Sequence, residues 1–90
     1  MYYVYFLKMN NEQIYTGSTS NLRQRISNHE RGSVITTSKH LPVILIGYEA
    51  YAEKSDAQRR ERYLKTTEGK RIFRQQYRDV LEKMYVIMRV

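Results

Sequence analysis

The chain of 90 residues has no cysteine and only two histidines. The first absence excludes a disulfide framework and a thiolate metal site, and the second leaves too few imidazoles for zinc without carboxylate help. Any metal bound here would be oxygen-ligated. Long apolar runs are also missing, and those present are far too short to span a bilayer. The opening Tyr2-Tyr3-Val4-Tyr5-Phe6-Leu7 lacks the basic lead and small-residue cleavage site of a signal peptide. A cytoplasmic protein with no membrane association is expected. No linker, low-complexity segment or internal repeat divides the sequence, and at this length a second lobe would have no core of its own. One unit is expected over 1–90.

Acidic residues are scarce: nine Asp and Glu stand against sixteen Lys and Arg, a net charge of +7. Such an excess draws a polyanion from a distance, and nucleic acid is the expected partner. On charge alone, the alternative is a basic soluble protein with no such partner.

Tyr2 to Lys8 and Ile14 to Ser18 are rich in β-branched and aromatic residues, and the polar Asn10-Asn11-Glu12 between them reads as the turn of an antiparallel hairpin. Ser20 or Asn21 then offers a helix cap, followed by Leu22, Ile26 and His29 at spacings of four and three, which predicts a helix to about Gly32. Ser33 to Pro42, which ends on the only proline, has no sustained period and reads as a mobile basic loop. Val43 to Tyr51 fits a third strand with one well-buried half. Ser55 and Gln58 match a capping box for a helix over about Ser55 to Lys65, interrupted by Thr66 to Gly69. Ile72, Phe73, Gln76, Tyr77, Val80, Leu81 and Met84 then recur with helical period on one element, fraying from Tyr85 to Val90. The order β-β-α-β-α-α implies an α+β domain, a three-stranded antiparallel sheet flanked by helices, with its core at about 2–67 and a C-terminal helical extension at about 68–88.

Three features on this frame could carry chemistry. Tyr5 and Tyr15 stand on opposite arms of the hairpin and share a face if the loop holds an odd number of residues. Ordinary packing is the competing explanation, since tyrosine is common in strands. Arg25 and His29, four apart, flank the Leu22/Ile26 stripe and should sit at the rim of the core. Glu61 lies on the side of its helix that also carries Ala57 and Leu64. An inward carboxylate needs a partner, such as a magnesium ion or an inward arginine, because burying it alone costs several kcal/mol. The alternative is a surface ion pair with Lys65, worth roughly half a kcal/mol.

In these features the chain resembles the GIY-YIG nucleases, in particular their small stand-alone bacterial members. Tyr3-Val4-Tyr5 matches the first signature, Tyr15-Thr16-Gly17 the second, and Ser18 to Arg25 continues like the family's first helix, with His29 at the family spacing. Ser55 to Lys65 is similar to the helix that brings the family's acidic metal ligand. Tyr3 stands where the family name has glycine and Thr16 where it has isoleucine. The asparagine that many family nucleases carry after the acidic residue has no counterpart beyond Asn28.

The resemblance implies metal-dependent hydrolysis of DNA phosphodiester bonds. Tyr5 would be the general base, its phenol lowered by nearby cations. Tyr15 would orient the water or the phosphate, and His29 would relay a proton or hold the phosphate. Arg25 would stabilise charge on the scissile phosphate, and Glu61 would hold one magnesium or manganese ion. Lys39, His40, Arg59, Arg60, Arg62, Lys65 and Lys70 are candidate contacts to DNA phosphates. Without an attached recognition domain, the implied target is DNA selected by shape, such as branched, nicked or damaged DNA in repair or recombination, or a target delivered by a protein partner. The missing asparagine keeps open a binding module of the same fold.

Overall fold

The computed structural model describes residues 1–89, with side chains through Met84. Strands β1 (Tyr2–Lys8) and β2 (Ile14–Thr19) form the expected hairpin, with Tyr5 opposite Gly17 and Leu7 opposite Tyr15. The connecting loop, residues 9–13, is closed by the Met9 N–H donating to the Gln13 carbonyl at 2.9 Å. Its odd length puts Tyr5 and Tyr15 on one face. Strand β3 (Ile44–Tyr51) pairs antiparallel with the other edge of β1, so the order is β2-β1-β3.

The central strand is covered on both faces, which is why Val4, Tyr5, Phe6 and Leu7 are all fully buried. On one face, Tyr5 and Leu7 pack with Met9 and Val43 beneath Leu22 and Ile26 of helix α1 (Leu22–Glu30). On the other, Val4 and Phe6 meet Ala57 and Leu64 of α3 (Lys54–Leu64) and Phe73 of α4 (Thr67–Gln76). The protein is thus an α+β fold with a three-stranded antiparallel sheet flanked by helices. Phe73 lies 4.7 Å from Phe6, ring to ring, so the segment expected as an extension contributes to the core.

Several local expectations are corrected. The third strand has no well-buried half: Val43 before it is buried, but Ile44 and Leu45 are 47% and 38% exposed. It is an edge strand, and the bulge that leaves Ile46 unpaired between Phe6 and Leu7 shifts its register. The segment read as a loop contains a one-turn helix, α2 (Ile35–Ser38), anchored by the fully buried Thr37. Ser55 forms no capping box, and α3 starts one residue earlier, with Glu53 at its N-cap and no side-chain cap.

The interruption after α3 is also shorter than expected. Thr66 caps α4 by accepting the Gly69 N–H at 3.0 Å, which places Gly69 inside that helix. A side chain at Gly69 would run into the Tyr63 carbonyl and the Leu64 backbone, so the close crossing of α3 and α4 requires glycine. The single C-terminal element is two helices, α4 and α5 (Arg78–Arg89), with Tyr77 between them. Tyr77 stacks on Phe73, four residues earlier, at 4.6 Å and donates its hydroxyl to Glu49 at 2.9 Å; the second is a tertiary contact that a helical period does not reveal. The fraying expected from Tyr85 is not found in the backbone, which stays helical to Arg89, and Val90 lies outside the described residues.

Candidate functional site

Gly17 allows the site to assemble. A Cβ at this position would lie 2.5 Å from the Tyr5 hydroxyl and 2.9 Å from the Tyr15 ring, so only glycine lets both tyrosines lie over β2. Their ring centroids are 6.1 Å apart. The Tyr5 hydroxyl is hydrogen-bonded to His29 Nε2 at 2.8 Å and accepts from Arg25 Nε at 3.3 Å. The other imidazole nitrogen, Nδ1, is bonded to Thr37 Oγ1 at 2.7 Å. His29 is therefore not at the rim of the core, as its place on the helix suggested. It is fully buried, with both nitrogens occupied by protein, and cannot itself hold a phosphate.

Burial pushes the Tyr5 phenol up to about 12, although the hydrogen bond from Arg25 works in the opposite direction. The expected lowering by neighbouring cations is thus reversed: one arginine does not offset loss of solvent around a fully buried oxygen. Burial, assisted by the Arg25 charge, holds His29 below its usual range and keeps the imidazole neutral near pH 7. Arg25 itself is only partly buried.

Glu61 belongs to the opposite face of the sheet. It reaches the β2 edge by accepting from Ser18 Oγ at 2.6 Å, and it accepts from Lys65 Nζ at 2.8 Å. Burial alone would raise its carboxyl, but the hydrogen bonds from Lys65 and Ser18 outweigh that and hold it below the usual range. The inward carboxylate and the surface ion pair, weighed as alternatives from sequence, are both present. An open cleft of about 440 Å³ joins the two sides and is lined by Arg25 of α1, Ser18 to Ser20, and Lys54, Ala57 and Gln58 of α3. Sequence alone singled out neither Ser18 nor Thr37, since a hydroxyl at an unremarkable strand or loop position carries no periodic signal.

Among the described residues no three His, Cys, Asp or Glu cluster to form a closed site. A single carboxylate beside a serine hydroxyl suits a hydrated magnesium or manganese ion, which takes one or two carboxylates and completes its shell with water and phosphate oxygens. Lys65 is more than half exposed, and an exposed pair of this kind is worth about 1 kcal/mol or less, so it can yield its oxygen.

The candidate phosphate contacts divide. Lys39, Arg62 and Lys70 are exposed, His40 is half-buried, and Arg59 pairs at the surface with Asp56. Arg60 is turned inward instead, donating to Glu49 at 3.0 and 3.3 Å and to Gln76 at 2.8 Å. It serves the fold, tying β3 to α3 and α4. Among the described residues, no helix is long and apolar enough to cross a membrane.

The paired tyrosines over a glycine, the buried histidine and the acidic helix at the β2 edge together define a GIY-YIG domain, and the family model described as the GIY-YIG catalytic domain matches residues 1–77. The chain belongs to the GIY-YIG family. It is 44% identical over 66 residues to a UPF0213 protein of Clostridium perfringens, spanning 72% of this chain and 71% of that protein. It is 39% identical over 66 residues to a UPF0213 protein of Staphylococcus haemolyticus, spanning 72% and 80%. Its fold is similar to the solution NMR structure of a UPF0213 protein from Bacillus halodurans, with a TM-score of 0.52 and 30% identity over 81% of this chain and 82% of that one.

Proposed function

We propose that this GIY-YIG domain is a metal-dependent DNA endonuclease that hydrolyses phosphodiester bonds. The observation that carries the reading is the hydrogen-bonded run Arg25–Tyr5–His29–Thr37 beside a cleft whose far wall is tied to Glu61 through Ser18. Arg25 donates charge-assisted hydrogen bonds to the scissile phosphate, strongest as charge accumulates in the transition state. With the Nδ1–H of His29 directed at Thr37, Nε2 accepts the Tyr5 hydroxyl proton. Tyr5 is buried behind Arg25, so this reading requires Arg25 to swing toward the phosphate and admit the water. As that water attacks phosphorus, its proton passes to the Tyr5 oxygen while the Tyr5 proton passes to His29, and no free phenolate at pH 7 is required. The P–O3′ bond breaks, and the leaving oxygen takes a proton from solvent. Tyr15 orients the water or the phosphate. Glu61 would hold magnesium or manganese, which supplies Lewis-acid stabilisation of charge on the phosphate.

The exposed cations Lys39, Arg59, Arg62 and Lys70 supply salt-sensitive affinity for DNA without reading its sequence. The substrates are branched or nicked DNA of the kind met in repair or recombination, with a protein partner as a second route to the target. A second reading, a binding module without catalysis, is favoured by one feature: both hydrogen bonds described for the Glu61 carboxylate come from the protein's own side chains.

The test is nicking of supercoiled plasmid and a labelled branched DNA with magnesium or manganese, against EDTA and against Tyr5→Phe, Arg25→Ala and Glu61→Ala. Metal-dependent cleavage lost in all three variants is the expected result. Salt-dependent binding with no cleavage would replace the nuclease by the binding module.

A further inference from the structure

Beyond the tyrosine pair, the same face of the sheet carries a second groove of about 610 Å³ between α1 and β3. Tyr48 lies opposite Tyr5 in the ladder, and its ring meets that of Tyr3 edge to face at 5.9 Å. It is nonetheless 54% exposed. Leu45 and Leu22 line the apolar part, and Arg23 stands at its side, exposed. Ser20 lines both this groove and the cleft that holds Arg25, so the two adjoin at the start of α1.

We infer that this groove is a seat for an unpaired nucleobase of the bound DNA strand, stacked on Tyr48. The inference rests on the reading of the Arg25 cleft as a phosphodiester site. A strand whose phosphate meets Arg25 would run on past Ser20, where the lining turns from polar to aromatic. An aromatic ring offers every base a π face, and such stacking is worth about 1–3 kcal/mol per base without sequence preference. A base inside a duplex has both faces covered by its neighbours, so only an unpaired or extruded base has a face to offer. The protein's charge of +7 favours a polyanion over a second copy carrying the same charge. The seat makes the substrate DNA with unpaired nucleotides, in preference to uniform duplex.

The experiment uses the full chain in EDTA, so that binding is read without cleavage. Three oligonucleotides carry 2-aminopurine: a single strand, a duplex with the probe as one extrahelical base, and a fully paired duplex. The wild type is expected to quench the probe in the first two and to bind them at least about fivefold more tightly than the paired duplex. Tyr48→Ala should remove that preference while leaving affinity for paired duplex nearly unchanged, and Tyr48→Phe should keep it. Equal affinity for all three DNAs, or an equal loss on all three in a folded Tyr48→Ala protein, overturns the inference. So does a dimer by light scattering that dissociates in Tyr48→Ala and shows no quenching, which would assign the groove to a second copy. Parallel assays with magnesium separate the two readings. Cleavage without a preference for unpaired bases removes only the seat, and the preference without cleavage removes only the nuclease.

Discussion

Replacing Thr37 by valine tests the least exposed link of the site. Thr37 and His29 are both fully buried, and their 2.7 Å hydrogen bond is the one described for each of the groups involved, Thr37 Oγ1 and His29 Nδ1. Valine keeps the shape and removes the hydroxyl, leaving a polar nitrogen in the core without a partner. That costs about 1–3 kcal/mol. With a urea dependence of about 1–2 kcal/mol per molar for a domain of this size, the midpoint should fall by roughly 1 M. Unfolding by circular dichroism, at constant slope, measures it. The imidazole also loses the contact that directs Nε2 at Tyr5, so DNA cleavage by the folded protein should fall more than the folded fraction does. Thr37→Ser should restore both. A valine variant within about 0.5 kcal/mol of wild type would refute the claim that Thr37 satisfies His29. Lost stability with unchanged turnover would show that Thr37 braces the fold without tuning the site.

Gly17→Ala should destabilise by about 1–3 kcal/mol through overpacking and also displace the Tyr5 ring, so plasmid nicking should be lost even below the melting temperature. Arg60→Ala should lower stability by about 1–3 kcal/mol, because Glu49 loses its charged partner. It should leave the salt dependence of DNA binding unchanged, whereas Arg62→Ala should make that slope shallower by roughly one unit if Arg62 meets a phosphate. His29 is held below its usual value of about 6.5 in the folded state. Its contribution to stability is complete above that pH and is lost as the pH falls toward the lower folded value. The slope is at most about 1.4 kcal/mol per pH unit for one proton. Glu49 and Glu61, both held below the usual carboxylate range, add losses only below about pH 4.5. Urea unfolding between pH 8 and 5 should therefore show one decline near pH 6. A flat profile would contradict a neutral buried imidazole.

Element types followed from local chemistry. Alternating β-branched and aromatic residues around a polar turn specify the hairpin, and the apolar spacing of Leu22 and Ile26 specifies the first helix. The order of the tyrosine signatures and the acidic helix identifies the family. The helix starts were less legible: Ser55 has the right residue type for a cap and does not act as one, because a capping motif competes with tertiary contacts of similar size. Thr66 does cap, although the run from Thr66 to Gly69 has the composition of a helix break.

The sequence by itself determined the tyrosine pair, the charge, the α+β order and the residues from which a site is drawn, because these rest on short-range periodicity and side-chain chemistry. Only the tertiary structure decided what those residues do to one another. It buried His29 between Tyr5 and Thr37, raised the Tyr5 phenol, turned Arg60 inward to Glu49 and left Tyr48 in water. Each outcome depends on how far solvent is removed and which distant group replaces it, and residues 8 to 43 positions apart in the chain settle that only when they meet.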